Sequence, residues 1–231
     1  EGHTNAPLED DVFEAKSDSI TVSIMTTTDM HGRAYDWNSY TNSALSNNFL
    51  QAAKLVAERR AAVDDSILID VGDILQGSAL SSYNILQEGG ENSPMATALR
   101  YIGYDAFVLG NHEFNYGMDI LQRQLNYLTS ESTETESKVG VSMANYLDAN
   151  TNNDKTRDWK TWNSYAPYVI KEYDGVKVAV MGIGNPNIAN WDVPENWKGI
   201  YFAGVVETYK HYEAEMKAKA DLIVLVSHSG I

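Results

Sequence analysis

Asp29, His31, Asp73, Asn111, His112 and His228 are the side chains whose types and spacing could do chemistry together. Asn111 offers a neutral amide oxygen, a hard ligand that suits a divalent metal. His112, one residue on, offers an imidazole that titrates near neutral pH. An amide beside an imidazole can act as metal ligand and proton donor, although a single Asn-His pair is more often a turn with a surface histidine. Repetition gives the pair its weight. Apolar runs at residues 106–109, 21–25, 66–71 and 221–226 precede, respectively, Gly110-Asn111-His112-Glu113-Phe114, Asp29 and His31, Gly72-Asp73, and Ser227-His228. In an open α/β sheet, ligands bind beyond the carboxyl ends of parallel strands. Four such runs predict four strands delivering one site.

Other elements must hold those strands. Phe49, Ala52, Ala53, Val56 and Ala57 form one stripe at helical spacing, with Lys54, Glu58, Arg59 and Arg60 mostly outside it, which predicts a crossover helix. Ser93-Pro94 starts a second helix, Met95, Ala98, Leu99 and Ile102 form its buried face, and Gly103 stops it. Ile120, Leu121, Leu125 and Leu128 mark a third. A fourth over residues 205–219 is expected to turn Val206, Tyr209 and Met216 inward and leave His211 exposed or partly packed. Residues 33–48 read as an aromatic loop rimming the site, 131–136 as a solvated loop, and 139–144 as a strand with Met143-Ala144-Asn145 near the site edge. Residues 147–163 read as a polar insertion with Trp159 and Trp162, which can stack on a base but more often pin a loop to the body. Asp174-Gly175 between residues 168–173 and 176–183 is a hairpin signal that interrupts the strand–helix alternation.

Asp29-x-His31, Gly72-Asp73, Gly110-Asn111-His112-Glu113 and Ser227-His228 resemble the motif series of the calcineurin-like metallophosphoesterases, over residues 20–231. The finer details look like the branch with 5′-nucleotidases and 2′,3′-cyclic-nucleotide 2′-phosphodiesterases/3′-nucleotidases. Asp73-Ile74-Leu75-Gln76-Gly77 is typical of the whole branch. Gly110 to Gly117, with Tyr35-Asp36-Trp37-Asn38-Ser39-Tyr40 and more weakly Asn190-Trp191-Asp192, looks more like the cyclic phosphodiesterase side.

The resemblance implies an α/β fold, a mixed two-sheet sandwich flanked by helices. It implies two divalent metal ions, manganese, zinc or iron, bridged by Asp73. Asp29 and His31 would hold the first, Asn111 and His228 the second. His112 would stabilise the transition state or protonate the leaving oxygen, help typically worth about 10²–10⁴-fold. Asn111 counts with it among the catalytic residues, and Glu113 and Asp70 stand behind the ligands. The expected function is hydrolysis of nucleotide phosphate esters, first as a 2′,3′-cyclic-nucleotide 2′-phosphodiesterase/3′-nucleotidase. The alternatives are a 5′-nucleotidase or UDP-sugar hydrolase, or a catalytically silent fragment or binding module. The family's next motif, Gly-His-x-His, is missing, as is the C-terminal domain whose aromatics sandwich the base. Residues 20–231 are therefore expected to be the front part of a larger protein, incomplete at the C-terminus and prone to self-association, with 1–19 a flexible segment containing His3. Export to the periplasm, cell wall or medium follows by resemblance.

Composition limits the partners. Lys and Arg number 17 against 32 Asp and Glu, a net charge of −15, which speaks against long nucleic acids. A small phosphate ester remains allowed, because two divalent metals would add about four positive charges locally. Hydrophobic residues make up 43%, as in ordinary globular proteins. The absence of cysteine removes disulfide and thiol chemistry. No signal peptide and no apolar run long enough to span a membrane is present in this sequence.

Overall fold

The computed structural model describes residues 19–229, so the segment expected to be flexible, with His3, lies outside the described residues except for Ser19. In chain order the strands are β1 (Val22–Thr27), β2 (Trp37–Asn38), β3 (Ser43–Ala44), β4 (Asp65–Asp70), β5 (Ala106–Val108), β6 (Gly140–Ser142), β7 (Tyr146–Asp148), β8 (Val169–Tyr173), β9 (Val176–Gly184), β10 (Ile200–Phe202) and β11 (Leu222–His228). The helices are α1 (Phe49–Ala62), α2 (Ala79–Glu88), α3 (Pro94–Ile102), α4 (Met118–Leu128), α5 (Ile188–Trp191) and α6 (Val205–Lys219).

Two sheets face each other. The first runs β1-β4-β5-β6, all parallel. The second runs β11-β9-β8, with β11 parallel and β8 antiparallel to β9. Strand alternation decides what lies between them. Ile67, Ile69, Ala106 and Val108 of the first sheet meet Val178, Val180 and Val226 of the second in one buried cluster. The residues in between point the other way: Leu68, Phe107 and Val141 join Val56, Leu99 and Leu125 of α1, α3 and α4. Ala179, Met181 and Ile183 join Tyr212 and Met216 of α6. The layers are thus helices, parallel sheet, mixed sheet, helix, the expected mixed two-sheet α/β sandwich flanked by helices. Fully burying one such aliphatic side chain stabilises the fold by about 1.5–3 kcal/mol.

Local signals hold. Ser93 Oγ accepts from Ala96 N at the start of α3. Asp174 and Gly175 have φ of 47° and 84°, the paired left-handed conformation of a tight hairpin turn. Arg100 is buried on α3, where its guanidinium donates to the carbonyls of Tyr127, Leu128, Ser130 and Glu131 and to Glu136. Glu136 is thereby drawn out of the loop otherwise exposed over 131–135.

Two readings are corrected. Val206 is 65% exposed rather than inward. The buried stripe of α6 is Thr208, Tyr212 and Met216, because the Thr208 hydroxyl is satisfied by Gly204 O at 2.7 Å and can enter the core. Part of the polar insertion is also ordered as strand, since β7 pairs with β10 and Leu147 bridges Thr161. Trp159 stacks on His211 at 4.3 Å and Trp162 packs on the main core, so both pin that loop.

Candidate metal centre

The loops after β1 and β4 are zipped backbone to backbone. Asp29 N donates to Gly72 O, His31 N to Asp73 O and Gly32 N to Ile74 O, at 2.9, 2.9 and 2.8 Å. The zipper puts Asp29, His31 and Asp73 in the left-handed region, with φ of 56°, 46° and 60°. Each such residue costs of order 1–3 kcal/mol, and such strain clusters at functional sites. It points one donor atom from each of Asp29, His31 and Asp73 into a group within 4.8 Å of one another.

Second-layer bonds aim the rings. His31 Nδ1 lies 2.9 Å from Gln76 O, so Nδ1 donates and Nε2 of the neutral ring is left as a ligand atom, 3.6 Å from Asp29 Oδ1. His228, the last residue of β11, has Nδ1 2.5 Å from Val71 O and Nε2 3.3 Å from Asp73 Oδ2. The other oxygen of Asp73, Oδ1, accepts from His112 N at 2.8 Å. The His112 ring meets His31 edge-on at 5.3 Å. Asn111 stands between Gly110 and His112, half-buried, its amide without a hydrogen-bond partner among the described residues.

Behind these groups Glu113 is buried and accepts three backbone N–H bonds, from Asp73, Ile74 and Gly110, at 2.7–2.8 Å. Asp70, also buried, accepts from the Thr27 hydroxyl and Gly72 N. Gly110 has no Cβ for a steric reason: one there would lie 2.2 Å from Asp73 Oδ1 and 2.8 Å from His228 Cε1.

Burial pushes Asp70 up to about 8, against its two hydrogen bonds. Burial and the Asp73 charge push Glu113 up to about 7, against its three N–H donors. Burial works against charge on Asp73, yet the His228 bond, the His112 N–H and the two imidazoles hold its carboxyl below the usual range. Burial likewise opposes charge on His228, but the Asp73 carboxylate outweighs it and pushes the ring up to about 9. Carboxylates and unprotonated imidazole nitrogens are ligands for a borderline divalent cation, and Asp29, His31 and Asp73 fit one.

Sequence reasoning missed several supports. Gln76 and Val71 act through backbone carbonyls, which leave no trace in residue type. Asn115 and Asp192, 77 residues apart in sequence, join at His112, and no local signal pointed to that contact.

Carboxylates and imidazoles gathered beyond parallel strand ends of a two-sheet α/β sandwich form a candidate divalent-metal centre. The chain belongs to the calcineurin-like phosphoesterases: that family's profile matches residues 22–231. It is 31% identical over 226 residues to the 2′,3′-cyclic-nucleotide 2′-phosphodiesterase/3′-nucleotidase of Salmonella typhimurium, covering 92% of this chain and 32% of that protein. It is 30% identical over 211 residues to the 5′-nucleotidase of Vibrio cholerae, covering 90% and 34%. The crystal structure of the calcineurin-like phosphoesterase YfkN from Bacillus subtilis matches with a TM-score of 0.74 at 29% identity, over 92% of this chain and 63% of that one. The chain therefore spans about a third of the length of these two curated relatives. Among the described residues no helix is long and apolar enough to cross a membrane.

Proposed function

We propose that this chain carries the catalytic centre of a dinuclear phosphoesterase acting on nucleotides, first as a 2′,3′-cyclic-nucleotide 2′-phosphodiesterase/3′-nucleotidase. The observation that carries the reading is Asp73. One of its oxygens is engaged from the His112 side and the other from the His228 side, and it shares a group of donors with Asp29 and His31. A carboxylate so placed can be shared between two cations. Asp29 and His31 would hold one, Asn111 and His228 the other. Bound divalent metals would supply a nucleophile from water at neutral pH and offset the charge of the phosphoryl oxygens.

The chain's own residues do the rest. Gln76 O and Val71 O keep the Nδ1 atoms of His31 and His228 occupied, so Nε2 is the ligand atom in both. His112 is anchored by its backbone on Asp73 and by its Nδ1 on Asn115 Oδ1, which leaves Nε2 to serve the leaving oxygen as proton donor. The small-molecule partner is a nucleotide, and the reading carries an exported location with it.

The test is turnover by the full-length protein, rather than by residues 20–231 alone, of 2′,3′-cyclic AMP, 3′-AMP and 5′-AMP with manganese, zinc or ferrous iron. Hydrolysis of the first two at least about tenfold faster than 5′-AMP is expected. The relation to the Vibrio cholerae 5′-nucleotidase favours one second reading, which a preference for 5′-AMP would establish. No turnover of any of the three with any of the metals would overturn both.

A further inference from the structure

After β9 the chain passes through α5 to Asp192, which closes that helix by donating from its N to Ile188 O at 3.0 Å. There it meets the turn that carries His112. Asn115 Nδ2 donates to Asp192 Oδ2 at 3.0 Å, and Asn115 Oδ1 lies 2.6 Å from His112 Nδ1. The chemistry of the three groups leaves one arrangement. An ionised carboxylate accepts and cannot donate, so the amide nitrogen faces Asp192 and the amide oxygen faces His112. An amide oxygen also only accepts, so His112 Nδ1 carries a hydrogen. The atom left to gain or lose a proton is Nε2, which has no hydrogen-bond partner among the described residues.

Asp192 is itself firmly held. Its Oδ1 accepts from Val193 N and from Asn196 Nδ2, both at 2.8 Å, and its carbonyl accepts from Trp197 Nε1 at 3.3 Å. Asn196 Nδ2 also reaches Asn115 O at 3.2 Å. The loop thus grips both the far carboxylate and the backbone of the relaying asparagine.

We propose that Asp192 is a positioning residue which, through Asn115, fixes the His112 ring with Nδ1 protonated and Nε2 as its proton-transferring atom. This rests on the hydrolytic reading above. In the step it serves, the oxygen of water bonds to phosphorus and a water proton passes to solvent. The bond from phosphorus to the leaving oxygen breaks with its electron pair on that oxygen. The oxygen takes the proton from Nε2, and solvent restores it.

Asp192→Asn tests this in the full chain, because an amide at that position can donate and no longer dictates how Asn115 points. With manganese, kcat on 2′,3′-cyclic AMP should fall about tenfold with KM within about twofold, a fraction of what a general acid is worth. On bis(p-nitrophenyl) phosphate, whose leaving group departs without a proton, the fall should stay within about twofold. In a His112→Ala background, Asp192→Asn should cost nothing further, since the two act as one unit. Equal losses on both esters, or losses that add in the double variant, would overturn the proposal and leave Asp192 a structural residue. A second readout needs no turnover. Nitrogen NMR of the metal-free full chain should find neutral His112 protonated on Nδ1, and a mixture of tautomers in Asp192→Asn. Protonation on Nε2 in the unsubstituted protein would overturn the proposal. A protein with the expected tautomer that hydrolyses no phosphate ester would count against the hydrolytic reading and support the orienting bond.

Discussion

Gly110→Ala puts the geometry of the centre to its most direct test. The new Cβ would lie 2.2 Å from Asp73 Oδ1, 2.8 Å from Asp73 N and 2.8 Å from His228 Cε1. Contacting heavy atoms rest at roughly 3.5–4.0 Å, so the overlap exceeds about 1 Å on the carboxylate oxygen. Asp73 cannot simply rotate away. Its Oδ1 holds His112 N, its Oδ2 faces His228, and its backbone N is held by Glu113. The methyl must therefore push Asp73 and His228 apart. Overpacking of this kind costs about 1–3 kcal/mol, or about 2–12 °C in Tm for a chain of this size. The local effect should be larger than the global one, with manganese affinity falling at least about tenfold, because the displaced atoms belong to the ligands. Gly204→Ala is the control. Its φ is −68° and its Cβ would meet nothing nearer than Glu207 at 3.5 Å, so Tm and metal affinity should hardly move. Thermal unfolding and metal titration on both variants decide the matter. Unchanged manganese affinity and an unchanged Tm in Gly110→Ala would refute the placement of Asp73 and His228 against residue 110.

Further outcomes follow from charge and burial. His228, Asp70 and Glu113 are pushed up to about 9, 8 and 7, so each binds its proton more tightly folded than unfolded. The stability they contribute is full on the acid side of their ordinary values and is lost as pH rises through the raised ones. The Tm of the metal-free chain should therefore fall between pH 6 and pH 9, His228 alone contributing up to about 3 kcal/mol; a rise would contradict the assignment. The lowered carboxyl of Asp73 works in the opposite sense only toward pH 4 and below. In the full-length protein His112→Ala should cut turnover by about 10²–10⁴-fold with metal content retained, whereas Asp73→Asn should lose metal; equal metal loss in the two would leave the proton-donor role unsupported. Arg100→Ala strands four carbonyls and Glu136 in and around the core, and should destabilise by about 3–5 kcal/mol without altering turnover per folded molecule, as read by denaturant unfolding and active-site-normalised assay.

What was legible in sequence was what period and punctuation encode. The runs ending before Asp29, Asp73, Asn111 and His228 are indeed β1, β4, β5 and β11, and the hairpin at Asp174-Gly175 is where its turn residues place it. The misses have physical reasons. Helix α2 carries buried Ser81 and Asn84, so no apolar stripe announces it. Val206 has the right side chain for a core, yet Thr208 takes the inward place because its hydroxyl bonds within its own helix. The pairing of β7 with β10 joins residues 146–148 to 200–202, and no local signal records a contact that distant. The site divides in the same way. Its donors are visible as residue types, while the backbone carbonyls and the Asp192 relay that orient them are not.

Glu113 explains why the donors can converge at all. Its two oxygens hold N–H groups from two separate loops, Asp73 and Ile74 after β4 and Gly110 after β5. That clamp holds Asp73 in its left-handed conformation and brings Gly110 close enough that only a hydrogen fits between it and the Asp73 carboxylate. Three N–H bonds favour the ionised Glu113, while burial and the nearby Asp73 charge oppose it and push its carboxyl up to about 7. A cation held by Asp73 would favour the ionised form of Glu113, because its charge would offset the repulsion between the two carboxylates, so metal binding and the clamp would reinforce each other. The strain at Asp29, His31 and Asp73 is sustained by the backbone zipper between their two loops, with the Glu113 clamp added at Asp73, and it aims one donor atom of each toward a common point.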